Sequence, residues 1–391
     1  MPLRHPLTFP ATHPPQILLA GATTYIGGTV LATLLAQPSY PLENATITCL
    51  VRSNECASRL LRQYGEDVNL IVRHSLDDIE VASLIASKHD IVINCAPPTH
   101  TQSAVALIEG LAERKKRTGR EVWFLHTSGV ENLADLPVSK TWVHSGAIRE
   151  YDDAADDIYE LERERNEKFP LPQRTTELAV TGKGLELGVK TLVMMNPMVY
   201  GQGLGLFERS SVRLSAMAKV TMETGNNFVI GDGKGIWDHV HVKELANLYK
   251  LIVVEMMKDG GKRLPWGKSG IIFSANGRHN WMIVAQEVAN VCYEEGIVPH
   301  NTLEHLELEE GVRMFSEHLP QIVEEKDLVE IRLCSNAKTR PSKAKLLGWR
   351  PKRDDKAWKQ AIQEDVLMML YSRHDIPDDT IPESMESTYT W

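Results

Sequence analysis

Residues 16–35 constrain the fold more than any other stretch. The apolar run Gln16–Ile17–Leu18–Leu19–Ala20 stops at Gly21, and residues 25–35 then carry apolar side chains at helical spacing. This reads strand, glycine turn, helix. The turn itself is Gly21–Ala22–Thr23–Thr24–Tyr25–Ile26–Gly27–Gly28. In such a turn the backbone N–H groups and the helix N-terminus face an anion, and glycine lets a pyrophosphate approach closely. A glycine turn alone is a weak motif; its place between a strand and a helix is what gives it weight.

The pattern then repeats. Apolar runs at 45–51, 68–72, 90–96 and 121–127 alternate with helical stretches at 54–64, 79–88 and 101–117. Strand and helix in strict alternation predict a parallel sheet with helices on both faces. Between Gly129 and Pro172 the alternation fails, and residues 148–168 become dense in charge, which predicts a solvated surface helix, with a lid over a pocket as the alternative. Helix and strand resume at 174–187 and 190–195. The glycine-bearing segment 197–205 breaks the chain again.

Beyond Phe207 the pattern is mainly helical, with short strands at 228–230 and 271–274 and helices at 281–295, 343–349 and 357–371. The expected organisation is a flexible arm over 1–15 and a Rossmann domain over 16–200, to which parts of 228–275 return. A C-terminal substrate lobe over 201–373 and a mobile tail over 374–391 complete it. The fold class is α/β, a doubly wound parallel sheet with a smaller, mainly helical C-terminal lobe.

Charge and cysteine usage narrow the partners. The 43 Lys and Arg against 52 Asp and Glu leave a net charge of −9, the wrong sign for a nucleic-acid binder. No apolar run approaches the roughly 20 residues needed to cross a bilayer. The five cysteines show no metal-ligand or CxxC spacing, and the proline-rich first 16 residues lack the apolar core of a secretory signal. A cytoplasmic protein with a small-molecule partner, and neither nucleic acid nor membrane, is expected.

The residue that closes the second strand selects between dinucleotides, because an acid there binds a ribose 2′-OH and an arginine meets a 2′-phosphate. Here it is Arg52, so NADP(H) is expected ahead of NAD(H). Taken with Asn94–Cys95–Ala96 and His126–Thr127–Ser128–Gly129 at the ends of the fourth and fifth strands, the chain resembles the extended short-chain dehydrogenase/reductase family. Residues 196–203, Asn–Pro–Met–Val–Tyr–Gly–Gln–Gly, are similar to its "RPxxVYGxG" segment, and residues 237–246 to its "vHVxDLA" segment. Among relatives it looks most like the NAD-dependent epimerase/dehydratase type and the NmrA-like proteins of fungi. The resemblance spans Ile17 to about Val366.

The resemblance implies a cofactor site of Gly21, Thr23, Thr24, Tyr25, Ile26, Gly27, Arg52, Asp77, Cys95, Ala96, Pro97 and Pro197. It also implies a catalytic Ser128, and pairing as a homodimer through helices 101–117 and 174–187. Apolar helix faces alone do not distinguish that pairing from core packing. Three departures stand out. Thr24 occupies a glycine position and would crowd the pyrophosphate. The acid that follows the third strand in the family is replaced by Ser75 or Asp77. The Tyr-xxx-Lys pair, in which lysine lowers the tyrosine pKa for proton exchange, is missing where counting places it, at residues 169–174. Tyr159, with Arg163 four residues on, is the substitute expected from the sequence.

These readings lead to an NADP(H)-dependent reductase or dehydrogenase acting on a carbonyl or hydroxyl of a small, secondary-type metabolite. Two alternatives keep the scaffold: a redox-neutral isomerase, epimerase, dehydratase or cyclase, and a non-catalytic NADP-sensing regulator. No metal is expected.

Overall fold

The computed structural model describes residues 14–36, 40–143, 148–319 and 326–372. Most of the expected arm and the whole expected tail lie outside the described residues.

The strands alternate with helices as the apolar pattern predicts: β1 (Gln16–Ala20), α1 (Tyr25–Leu35), β2 (Thr46–Val51), α2 (Asn54–Tyr64), β3 (Val68–Val72), α3 (Ile79–Ala86), β4 (Ile91–Asn94), α4 (Thr101–Thr118) and β5 (Trp123–Gly129). Strand Lys190–Asn196 follows helices α5 (Ile158–Lys168) and α6 (Pro172–Leu187). Ile271–Phe273 adds the last strand. The order across the sheet is Ile271–Phe273, Lys190–Asn196, β5, β4, β1, β2, β3, with every pair parallel.

Both faces of this sheet are covered, which is why its strands read as unbroken apolar runs. Ile17 and Leu19 pack toward one core with Val30, Leu31 and residues of helix Val242–Met257. Leu18 and Ala20 pack the opposite way, with Ala82 of α3 and Leu107 and Ile108 of α4. The chain winds outward from β1 in both directions, so a crevice opens at the carboxyl ends of β1 and β4.

A third core builds the C-terminal half around helices Val212–Thr224, Trp281–Glu294 and Asp355–Ser372. This half is less helical than its sequence suggests. Met198–Tyr200 pairs with Ile236–His241, which pairs with Arg278–Asn280; Asn227–Ile230 pairs with Leu303–Leu306, and Glu150–Asp152 with Lys338–Arg340. Strands of three to six residues whose partners lie far off in sequence carry too little local period to be read.

The charged segment is neither a solvated helix nor a lid. Ile158, Glu162 and Arg165, at positions i, i+4 and i+7 of α5, are buried against the molecule. Only the opposite side is wet, where Arg163 pairs with Glu160 and Glu167. Asp153 is buried too, and accepts N–H bonds from Phe273 (2.8 Å) and Lys343 (2.9 Å), fastening the last sheet strand. Among the described residues no helix is long and apolar enough to cross a membrane.

Candidate active site

The crevice is a cavity of about 570 Å³ lined by the turn after β1, the ends of β2, β4 and β5, the start of α6 and residues 196–199 and 208–213. Its floor is the glycine turn. Gly21 has φ +87°, and a Cβ there would stand 2.5 Å from the Cys95 carbonyl carbon; a Cβ on Gly27 would stand 2.1 Å from the Gly21 carbonyl oxygen. Glycine is therefore required for the turn to lie on β4, and Gly27 sits behind the cavity wall.

Thr24 does not crowd the opening as its size suggests. It is the N-cap of α1: its Oγ1 accepts from the Gly27 N–H (3.1 Å) and donates to the Gly21 carbonyl (2.9 Å). The side chain satisfies one helix-end donor and leaves the N–H groups of Tyr25 and Ile26, which have no intrahelical acceptor, at the cavity. Tyr25 contributes only backbone there, because its buried phenol donates to the Gly201 carbonyl in the opposite lobe.

Thr23, Ile26, Arg52, Cys95, Ala96, Pro97 and Pro197 line the same cavity. Arg52 is exposed at its edge, and Arg59 is committed elsewhere, over the Phe207 ring with an N–H bond to the Leu206 carbonyl (3.1 Å). Burial pushes the Cys95 thiol up to about 12, so this residue offers surface and no nucleophile.

Besides Gly27 behind the wall, two sequence-derived residues fall outside. Asp77 does not line the cavity; it points to solvent beside His100, 3.1 Å from its Nε2. Arg73 and Leu76 line that end instead, Arg73 holding the loop through the carbonyls of Ser75 (2.8 Å) and Leu76 (3.0 Å). Tyr159 is also remote: its ring lies under the Lys268 ammonium, 5.2 Å away, and Lys268 precedes the last sheet strand, at the end of the sheet opposite the crevice. It cannot reach a substrate in the cavity.

Ser128 lines the cavity near the end of β5, 5% exposed. Its Oγ donates to Glu177 Oε2 of α6 (2.6 Å), and Asn132 Nδ2 donates to the same oxygen (2.9 Å). Where the tyrosine-lysine spacing would fall, the chain presents Phe169 and Gln173. Gln173 lines the cavity and donates to the Gly129 carbonyl (3.1 Å). At the far end, Glu131 joins Arg213 and Arg332, all three lining the cavity. Tyr200, by contrast, is buried among His239, His241 and Trp358 and does not reach the opening.

Sequence reasoning missed Glu177, Asn132, Gln173, Arg73 and the Glu131 cluster. The one signal for Glu177 was an acid among the apolar and small residues of the first half of its helix. Among the described residues no group of His, Cys, Asp and Glu could hold a metal ion.

The pattern that defines the NAD dependent epimerase/dehydratase family matches residues 17–263. The chain belongs to that family. Its members are enzymes, and a relative from Acremonium sp., the oxidase ucsJ, is 29% identical over 76% of this chain and 85% of its own length. An uncharacterized protein of Saccharomyces cerevisiae is 24% identical over 71% of this chain and 81% of its own. The family fold extends past the matched segment. The dTDP-glucose 4,6-dehydratase of Bacillus anthracis, solved in complex with NAD, superposes with a TM-score of 0.57 at 13% identity, covering 92% of this chain and 97% of that one. The UDP-glucose 4-epimerase of Thermotoga maritima, solved with UDP-glucose, gives 0.55 at 16% identity, covering 91% and 99%.

Proposed function

We propose that this epimerase/dehydratase-family enzyme is an oxidoreductase that binds a nicotinamide dinucleotide, NADP(H) in preference to NAD(H). Its substrate is a hydroxyl or carbonyl group of a small-molecule metabolite. The observation that carries the reading is the convergence of the α1 N-terminus, Arg52 and Ser128 on one cavity. The donor set fits the group: two helix-end N–H groups suit a diphosphate, and an exposed guanidinium at the end of β2 suits a 2′-phosphate.

Gly21, Thr23, Thr24, Tyr25, Ile26, Arg52, residues 95–97 and Pro197 would hold the dinucleotide, with Gly27 keeping the turn in place. When bound, it supplies hydride donor or acceptor chemistry. The protein supplies the rest. Ser128 donates to or accepts from the reacting oxygen, Asn132 and Glu177 fix the direction of its hydroxyl, and Gln173 closes the cavity wall where the family has lysine. The name of the Acremonium relative is in keeping with redox chemistry. The cytoplasmic setting, and a homodimer through α4 and α6, which lie side by side with Thr101 Oγ1 2.7 Å from Thr176 Oγ1, belong to the same reading.

Phe169 and Gln173 in place of tyrosine and lysine favour one alternative, a redox-neutral reaction in the same cavity. Nicotinamide absorbance separates the two. The purified enzyme, given NADPH or NADP+ and a panel of aldehydes, ketones and secondary alcohols, is expected to change absorbance in step with substrate conversion. Ser128→Ala should lower kcat about 100-fold, the usual size of a lost acid–base partner. Conversion with no net absorbance change would replace this reading with the redox-neutral one.

A further inference from the structure

Behind Ser128 the structure holds an arrangement that the reading above leaves unused. Glu162 of α5 and Glu177 of α6 are both fully buried. Glu177 Oε2 is satisfied by Ser128 and Asn132, but Glu177 Oε1 and both oxygens of Glu162 have no donor. The neighbouring cations do not fill the gap. Arg174 spends its N–H groups on the carbonyls of Asn132 and Phe169, and Arg165 on those of Asn132 and Ala134.

Three acceptor oxygens shut away from water without a donor would cost several kcal/mol if both groups were ionised. One proton resolves two of the three. A protonated Glu162 becomes a donor to Glu177, and the pair becomes an acid hydrogen-bonded to a carboxylate, the arrangement that two adjacent buried carboxyls adopt because both cannot ionise.

The directions agree with the geometry. Burial, followed by the charge of Glu177, holds the Glu162 carboxyl well above the ordinary range. Burial also raises Glu177, against the pull of its hydrogen bonds and of Arg174. The charged groups facing the pair are Arg174 on α6 and Arg165 on α5, and these two arginines in turn face Tyr151 on strand Glu150–Asp152 and, at Arg165, Asp135. The two arginines offset the single negative charge, and the proton stays on Glu162.

We propose that Glu162 and Glu177 share one proton at rest and take up and return a second through the Ser128 hydroxyl, supplying the acid–base function that Phe169 and Gln173 cannot. When a substrate hydroxyl passes its proton to Ser128 Oγ, the Ser128 O–H bond breaks and its proton goes to Glu177 Oε2. The pair then holds two protons, and in the other direction a reacting oxygen receives the Ser128 proton as Glu177 returns the second one and becomes a carboxylate again. The transfer moves one proton along two O–H bonds and changes no oxidation state. Glu177 and Glu162 are positioning residues that act through Ser128, and this role rests on the cavity being the reaction site argued above.

Infrared spectroscopy of the intact protein tests it without a substrate. At pH 8 the wild type should show the carbonyl stretch of a buried carboxylic acid that is lost in Glu162→Gln. Transfer into D2O should shift that band, about tenfold or more slowly in Ser128→Ala, with the wild-type rate restored in Ser128→Thr. If Glu162→Gln does not fold, the exchange comparison between wild type, Ser128→Ala and Ser128→Thr stands by itself. Absence of the acid band in the wild type at pH 8, or equal exchange rates with and without the hydroxyl, would overturn the proposal. Calorimetric titration of the same proteins with NADPH separates the two failures: no nucleotide binding overturns the dinucleotide reading and leaves the infrared result intact.

Discussion

Two helical glycines make a controlled comparison. Gly27, in the first turn of α1, would bring an added Cβ to 2.1 Å from the Gly21 carbonyl oxygen, 2.8 Å from its carbonyl carbon and 3.0 Å from Cys95 Cβ. Gly182, within α6, would meet nothing within 4 Å. Helix propensity favours alanine at both by up to about 1 kcal/mol, so Gly182→Ala should stabilise the protein by roughly 0.5–1 kcal/mol. At Gly27 the obstructing atoms are backbone, and an ordinary contact of about 3.5 Å needs α1 and the turn to part by more than about 1 Å. That overpacking, about 1–3 kcal/mol in tight sites, outweighs the propensity gain. The same displacement carries the N–H groups of Tyr25 and Ile26 off a bound diphosphate, and should weaken NADP(H) binding about tenfold or more. Urea unfolding measures the first effect and calorimetry the second. A Gly27→Ala protein as stable as wild type, with unchanged affinity, would refute the argument that this glycine holds the turn against β4.

Two further substitutions probe buried charge. Glu131→Ala removes the carboxylate that Arg213 and Arg332, with side chains 13% and 18% exposed, both bind, and should cost about 3–5 kcal/mol at pH 7. Burial alone would raise the Glu131 carboxyl, but Arg332 and Arg213 outweigh it and hold it below the ordinary range. Its contribution is therefore full above the unfolded value of about 4.3 and is lost as pH falls through the depressed one, so the gap between variant and wild type should close in acid. Asp365 behaves with the opposite sign. Burial pushes its carboxyl up to about 7, which favours the folded state at low pH and penalises it as pH rises through 7. Asp365→Asn keeps an oxygen for the Gly201 N–H, which now donates to Asp365 Oδ2 at 2.9 Å. The variant should melt like wild type near pH 4 and above it at pH 8; equal melting temperatures at both would contradict the assignment.

The sheet was legible because its physics is local. Strands buried on both faces read as apolar runs, helices between them show their own period, and Gly21 marks the turn. Arg52, Ser128 and residues 95–97 could be placed because strand ends in an alternating fold all point to one crevice. The failures were long-range or lay in side-chain direction. Asp77 follows β3 at the right distance but turns outward to His100, while Arg73, four residues nearer the strand, turns in. Tyr159 has a cation four residues away, yet its ring faces Lys268 and not the cavity, and spacing along one helix says nothing of which way that helix turns its residues. Glu162 and Arg165 looked like members of a solvated charge run because their buried partners, Glu177 and the carbonyls of Asn132 and Ala134, come from other elements. Thr24 was legible as a departure but not as a cap.

The most direct test of the account is calorimetric titration of the nucleotide-stripped protein with NADP(H) and NAD(H), alongside Arg52→Ala. The account predicts binding of NADP(H) ahead of NAD(H), with the variant losing about tenfold or more of its NADP(H) affinity, as expected for one charge-assisted hydrogen bond, and little of its NAD(H) affinity. No binding of either dinucleotide would contradict it.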